Sequence, residues 1–101
     1  GVHQFVRIGT LSMVSACTLV RKDVMPYCLL GNDPVRHYRL NTIGLRRADI
    51  KGERYRKLEK MFRKLREGKP FEDLKGTPEI DYLRSWMLAT SKRGVYGFLK
   101  T

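Results

Sequence analysis

The stretch that decides the fold is residues 2–24, which divide into four hexads, the last incomplete: Val2-His-Gln-Phe-Val-Arg, Ile8-Gly-Thr-Leu-Ser-Met, Val14-Ser-Ala-Cys-Thr-Leu and Val20-Arg-Lys-Asp-Val. An aliphatic residue opens each hexad. A period of six matches neither the 3.6-residue repeat of an amphipathic helix nor the alternation of a simple strand. It is typical of a parallel β-helix whose coils have three short faces, with the aliphatic pointing inward. The alternative, two ordinary strands with chance spacing, is less favoured because four positions are in register.

This repeat requires neighbours. Three hexads close one coil, so residues 2–24 supply little more than one. Coils bury their core by stacking, and such folds need about three repeats for stability. We therefore expect further coils upstream in a longer protein, and without them an edge open to water. The residue at position 1 is Gly rather than Met, which agrees with a piece of a longer chain.

The composition changes after the repeat. Residues 25–48 contain two prolines, two glycines and two asparagines, which favours an extended connection over a helix. From about Asp49, apolar residues recur at helical spacing as far as Gly68. A last helix is expected from Thr77, a suitable N-cap, with Pro78 at its first position. The predicted segments are the end of a β-helix at 1–30, an extended connection at 31–48 and a helical domain at 49–101.

The composition bounds the class of protein. The 101 residues allow one domain, and 42% apolar residues with 10% aromatics exceed what a disordered chain carries. Cys17 and Cys28 are too few for a disulfide scaffold and lack metal-ligand spacing, so we predict no metal site and reduced thiols, as in a cytoplasmic protein. No apolar run approaches the roughly 20 residues of a membrane span. His37 has no partner at metal or triad spacing and is assigned no role.

The net charge of +11 requires an anionic partner, such as nucleic acid, acidic lipid, a nucleotide or an acidic protein. Positions 46–69 alone hold 11 cations and four acids. A solvated helix face is the common reason for such a run. A nucleic-acid-binding helical module is an alternative, but it needs exposed aromatics for stacking. Phe62, Tyr82 and Trp86 lie on or near apolar stripes, which indicates a core position instead.

Four motifs resemble one family along essentially the whole chain. They are Val2-His3-Gln4-Phe5, Asp23-Val24-Met25-Pro26-Tyr27, Asn41-Thr42-Ile43-Gly44-Leu45-Arg46-Arg47 and Thr90-Ser91-Lys92-Arg93-Gly94. Together with the hexads they resemble the carboxy-terminal part of bacterial UDP-N-acetylglucosamine acyltransferases. Single hexads occur in many transferases, including ones that use coenzyme A, which is a further alternative. The particular two-helix tail argues against that one.

The resemblance implies a homotrimer of left-handed β-helices with each active site between two subunits. The family moves a 3-hydroxyacyl chain from acyl carrier protein to the 3-hydroxyl of the glucosamine in a UDP-sugar, the first step of lipid A synthesis, and no cofactor is implied. Its general base is a histidine in an upstream coil. The chain is therefore expected to hold no catalytic residue and, by itself, to transfer no acyl group.

The resemblance also implies roles for individual positions. His3, Gln4, Asn41 and Arg47 match residues that contact the UDP-sugar, and Ala16 matches a position that limits acyl length. Two departures put uracil recognition in the usual manner in question, since Ile43 stands where well-known relatives carry glutamate and Ala48 where arginine is common. Because acyl carrier protein is acidic, the basic helix is expected to dock it. The expected docking residues are Arg54, Lys57, Arg63 and Lys64.

Overall fold

The computed structural model describes residues 4–100. These residues form two compact units, one containing residues 4–41 and 90–100 and the other containing residues 42–89. The elements in chain order are strands β1 (Met13–Val14), β2 (Cys28–Asn32) and β3 (Val35–Leu40), then helices α1 (Thr42–Arg47), α2 (Glu53–Glu67) and α3 (Pro78–Leu88). The predicted order of β structure followed by helices is confirmed.

The first unit contains the end of the β-helix. β1 pairs in parallel with β2, where Met13 lies opposite Leu29, and Ile8 makes a parallel bridge to Val24. Each pair is 16 residues apart, so this coil is two residues shorter than three full hexads. The six-residue period survives in the corners of the coil, since positions 5, 11 and 17 all have a positive φ, between 54° and 68°. Such corners turn the chain sharply and let the next face begin.

The core of this unit receives only part of the predicted set of aliphatics. Val20 is buried against Val24, Leu30 and Tyr96, and the half-buried Val14 packs on the same cluster. Ile8 was expected to point inward, but 45% of it is exposed. Among the described residues its parallel bridge is to Val24 alone, and a coil stacked on one side leaves part of its aliphatic row in water.

Residues 31–48 differ from the extended connection predicted for them. They carry the end of β2, all of β3 and α1, and β2 and β3 form an antiparallel hairpin. Pro34 lies in the hairpin turn, where a missing N–H costs no ladder bond. Gly31 lets the Tyr38 ring lie against the backbone, because a Cβ at position 31 would come within 2.5 Å of that ring. Pro34 and Gly31 therefore fit a turn and a close contact between backbone and ring within a hairpin, rather than an extended connection.

The second unit follows its predicted apolar stripes. Leu58, Met61, Ile80 and Leu83 are fully buried, as are most of Phe62 and Trp86, whereas Tyr82 is 40% exposed. The Thr77 side chain accepts a hydrogen bond from the Ile80 amide, and Pro78 begins α3, so that cap is confirmed. The basic helix begins at Glu53 rather than near Asp49, because Gly52 has a φ of 64° and separates it from α1.

The last residues return to the first unit instead of joining the helical one. Val95 makes a parallel bridge to Asp23, and Phe98 makes one to His37. The domain boundaries expected at 31 and 49 therefore differ from the two compact units, whose first member is built from both ends of the chain. Within residues 4–100, no helix is long and apolar enough to cross a bilayer.

Candidate functional site

A buried carboxylate organises the first unit. Asp23 is fully buried and accepts hydrogen bonds from the Arg7 amide at 2.8 Å, the Arg7 Nε at 2.7 Å and the Ser91 hydroxyl at 2.7 Å. Burial raises the pKa of the Asp23 carboxyl, but the bonds from Arg7 and Ser91 together outweigh it and hold the pKa below its usual range. The carboxylate thus stays ionised and ties two coil segments to the returning tail.

His37, to which the sequence assigned no role, is a second buried tie. Its Nε2 accepts from the Met25 amide at 2.9 Å, and its Nδ1 lies 3.0 Å from the Tyr96 carbonyl oxygen. Nδ1 therefore carries the proton. Burial lowers the pKa of this imidazole to about 4, against the raising effect of the carbonyl contacts. A neutral, fully enclosed ring is not placed to act as a general base on a substrate.

The predicted substrate positions of the first unit have different surroundings. His3 lies outside the described residues. Gln4 is exposed, and its main-chain carbonyl oxygen accepts from Arg93 Nε at 3.4 Å. Asn41 is 9% exposed, and its side-chain amide donates to the Leu11 carbonyl at 2.9 Å, which cross-links two segments. The structure thus gives Asn41 a bracing contact, while its role toward a UDP-sugar stays a prediction.

Ala16, the expected acyl-pocket position, lies at an exposed turn of the coil. Its main-chain carbonyl oxygen accepts from the side-chain Nδ2 of Asn32 at 3.1 Å, and the next residue, Cys17, has a φ of 62°. A small side chain suits such a corner whether or not an acyl chain passes it. The role of Ala16 in limiting acyl length stays a prediction.

Arg47 is exposed in the last turn of α1, beside Arg46. A cation there is favoured by the negative end of the helix dipole. Ile43, on the same helix, is 53% exposed, so an apolar side chain faces solvent there. The Arg47 guanidinium is sterically available for an anion, and its contact with a UDP-sugar stays a prediction.

Three of the four predicted docking residues contact another residue of the chain, and the fourth, Arg63, forms none of the ion pairs found in residues 4–100. Arg54 makes two hydrogen bonds to the Glu79 carboxylate, at 2.9 and 2.6 Å, and lowers the pKa of that acid. Lys57 Nζ donates to the Lys75 carbonyl at 2.6 Å, and Lys64 lies 3.8 Å from Asp73. Arg54 and Lys57 thus brace the helical unit. The bracing role of Arg54 went unpredicted because its partner lies 25 residues away, beyond any local spacing signal.

The outward face of α2 carries a separate stripe of cations. Arg56, Lys60 and Arg63 are all exposed and lie at i, i+4 and i+7, one above another on the helix. Arg56 is 3.3 Å from Glu53, whereas none of the ion pairs found in residues 4–100 involves Lys60 or Arg63. We refer to Arg56, Lys60 and Arg63 as the α2 stripe. It presents positive charge to solvent, although Arg63, after Lys69 and Arg66, helps to lower the pKa of the Glu67 carboxyl.

In the described part of the chain, no group of three or more histidine, cysteine or acidic side chains could hold a metal ion. Cys17 and Cys28 are free thiols, one exposed and one buried. Burial raises the pKa of the Cys28 thiol far above its usual range, so that group is inert. The arrangement offers cationic recognition surfaces and structural ties.

Comparison with known proteins matches this chain to the family that its sequence motifs resemble. A family model described as UDP-N-acetylglucosamine O-acyltransferase, domain 2, matches residues 23–96. An acyl-[acyl-carrier-protein]–UDP-N-acetylglucosamine O-acyltransferase from Gloeothece citriformis is 31% identical over 93% of this chain and 38% of its own length. Solved structures of the enzyme from Moraxella catarrhalis (30% identity, TM-score 0.80) and Bacteroides fragilis (27%, 0.82) match 95% and 93% of this chain. They are matched over 40% of their own lengths, so the chain spans about two fifths of these relatives.

Proposed function

Because the chain belongs to the UDP-N-acetylglucosamine O-acyltransferase family, we propose that it is the carboxy-terminal part of an enzyme that transfers a 3-hydroxyacyl chain. The donor is acyl carrier protein and the acceptor is the 3-hydroxyl of UDP-N-acetylglucosamine, the first step of lipid A synthesis. The enzyme acts in the cytoplasm as a homotrimer. The observation that carries this proposal is the family match over residues 23–96, which spans the β2–β3 hairpin and all three helices.

In this proposal the chain supplies recognition, and the general base comes from an upstream coil. The buried, neutral His37 ring is already bonded at both nitrogens, which argues against His37 as that base. The residues that we propose to contact the UDP-sugar, each by itself, are His3, Gln4, Asn41 and Arg47. The chain alone is expected to show no acyl transfer.

The α2 stripe is the proposed landing surface for the acidic carrier protein. Lys60 and Arg63 lie on the exposed face and are free to pair with carboxylates of a partner, which would steer the encounter and lose strength with salt. Of the other expected docking residues, Lys64 follows Arg63 in the chain, while Arg54 and Lys57 are tied to Glu79 and to the Lys75 carbonyl. Their removal would act through the fold of the helical unit.

The test measures binding of acyl carrier protein to the 101-residue chain by isothermal titration calorimetry at low and at physiological salt. The double variant Lys60→Glu with Arg63→Glu is expected to bind at least tenfold more weakly at low salt, about 1.4 kcal/mol. The matched control, Arg39→Glu with Lys100→Glu, makes the same change in net charge at exposed positions of the other unit. It is expected to change the affinity less than threefold.

Equal losses in the two double variants would show that only net charge matters and would remove the docking surface. Tighter binding of duplex DNA than of acyl carrier protein, lost in the stripe variant, would replace the proposal with the nucleic-acid interpretation. An acyl transfer activity of the chain by itself would contradict the upstream position of the general base.

A further inference from the structure

A cavity of about 420 Å³ in the first unit carries a cluster of cations that the proposed function does not use. It lies between the chain around residue 20, the β2–β3 hairpin and the returning tail. Its polar lining comes from Thr18, Arg21, Lys22, Asn32, Arg36 and Tyr96. Leu19 and Val35 complete the wall.

The cavity holds three positive charges and no carboxylate. Arg21, Lys22 and Arg36 are all exposed, and none of the ion pairs found in residues 4–100 involves them. Of the acids nearest along the chain, Asp23 is fully buried and already paired with Arg7. Asp33 lies in the β2–β3 turn beside Asn32 and does not line the cavity. The three charges therefore line the cavity together, and no carboxylate belongs to its lining.

Neutral donors stand beside these cations. The Tyr96 hydroxyl, which is 7% exposed as a residue, accepts from the Arg21 amide at 2.8 Å and still has its own proton to donate. Arg36 uses one guanidinium nitrogen, Nη1, on the Val35 carbonyl at 2.7 Å, which holds the side chain in place and leaves other N–H groups. The cavity thus combines a fixed guanidinium, two further cations and a phenol.

A second cavity shows the contrast. It measures about 550 Å³ and is lined by Arg46, Lys51 and Asp49 among others, but Lys51 lies 3.1 Å from the Asp49 carboxylate. One of the two cations there is thus paired with a carboxylate of the same lining. The uncompensated cluster in the first unit is the one that favours an anion.

We propose that the cavity around Arg21, Lys22 and Arg36 binds a phosphate group. Guanidinium groups pair with phosphate oxygens through two parallel hydrogen bonds, and an ammonium adds a point charge. A hydroxyl donor beside them suits a tetrahedral oxyanion. The source is either free inorganic phosphate or a phosphate monoester, since both present the same oxygens. This site is independent of the proposed acyltransferase function.

The test is a nuclear magnetic resonance titration of the 101-residue chain with inorganic phosphate and with glycerol 3-phosphate, against sodium chloride of equal ionic strength. Saturable shifts are expected at the amides of Thr18, Arg21 and Tyr96. Arg36→Gln is expected to weaken binding about fivefold or more. The control Arg39→Gln removes the same charge from the same strand outside the cavity. It is expected to change the affinity for phosphate less than twofold.

The tighter of the two probes identifies the source, free phosphate or ester. Shifts that rise without saturation, that the chloride series reproduces, or that Arg36→Gln and Arg39→Gln reduce equally would overturn the site. Because Arg36 and Arg39 are both exposed, thermal unfolding of the variants is expected to match that of the unmodified chain.

Discussion

Lowering the pH from 7 to 5 is expected to destabilise the unit that contains His37. In the folded chain the imidazole Nε2 accepts the Met25 amide, and the ring is fully buried against Tyr96 and Phe98. An imidazolium has no acceptor nitrogen, so protonation must break that bond and place a charge where there is no water. The unfolded chain takes up the proton without either cost.

The magnitude follows from the two pKa values of His37. The folded value is about 4 and the ordinary value is 6.5, so the folded state binds the proton less well. Because the pKa of His37 is lower in the folded chain, the neutral ring stabilises the fold fully above pH 6.5, the pKa in the unfolded chain. This contribution to the unfolding free energy is lost as the pH falls from 6.5 to about 4. The linkage relation gives a loss of about 2 kcal/mol between pH 7 and pH 5, and roughly 3 kcal/mol over the whole window.

The assay is urea unfolding followed by circular dichroism at pH 7, 6 and 5, for the unmodified chain and for His37→Gln. Glutamine keeps one donor and one acceptor but does not titrate, so other ionisable groups cancel in the comparison. Relative to His37→Gln, the unmodified chain is expected to lose about 2 kcal/mol of unfolding free energy from pH 7 to pH 5.

Two results would refute this reasoning. One is a His37→Gln variant with the same pH dependence as the unmodified chain. The other is a carbon-bound proton signal of His37 that titrates near 6.5 in the folded protein, which would show that burial does not lower its pKa.

Two further predictions concern ties and close contacts. Arg54→Gln is expected to lower the free energy of unfolding by about 1–2 kcal/mol, because it leaves the Glu79 carboxylate buried without its partner, and adding Glu79→Gln is expected to restore part of that loss. Additive effects of the two substitutions in a denaturant titration would show that the side chains do not couple. Gly9→Ala is expected to cost more than about 2 kcal/mol in the same titration, since its Cβ would lie 2.3 Å from the Pro26 backbone nitrogen. An unchanged midpoint would show that the two segments do not approach so closely.

Local patterns in the sequence were enough to predict the elements whose stabilising contacts are made between residues close together in the chain. The cap at Thr77 and Pro78 and the buried residues Leu58 and Met61 follow from spacing, because a helix satisfies its hydrogen bonds and places its apolar face within a few residues. The hexad period of residues 2–24 likewise predicted a parallel coil, since each face repeats the same short geometry. Family membership could also be inferred at this level from the quoted motifs.

Tertiary structure decided what depends on distant partners. Pairing of β3 with β2 turned a segment rich in Pro and Gly into a hairpin, and the tail joined the first unit through bridges to Asp23 and His37. The sequence analysis predicted Arg54 as one of the docking cations, whereas in the fold its guanidinium is bonded to Glu79, 25 residues on. Cations that form no ion pair in residues 4–100, such as Lys60 of the α2 stripe and Arg36 at the cavity, are distinguished from paired ones only once the chain is folded. The physical reason is that charge compensation and burial are set by neighbours in space, and a linear pattern records only neighbours in sequence.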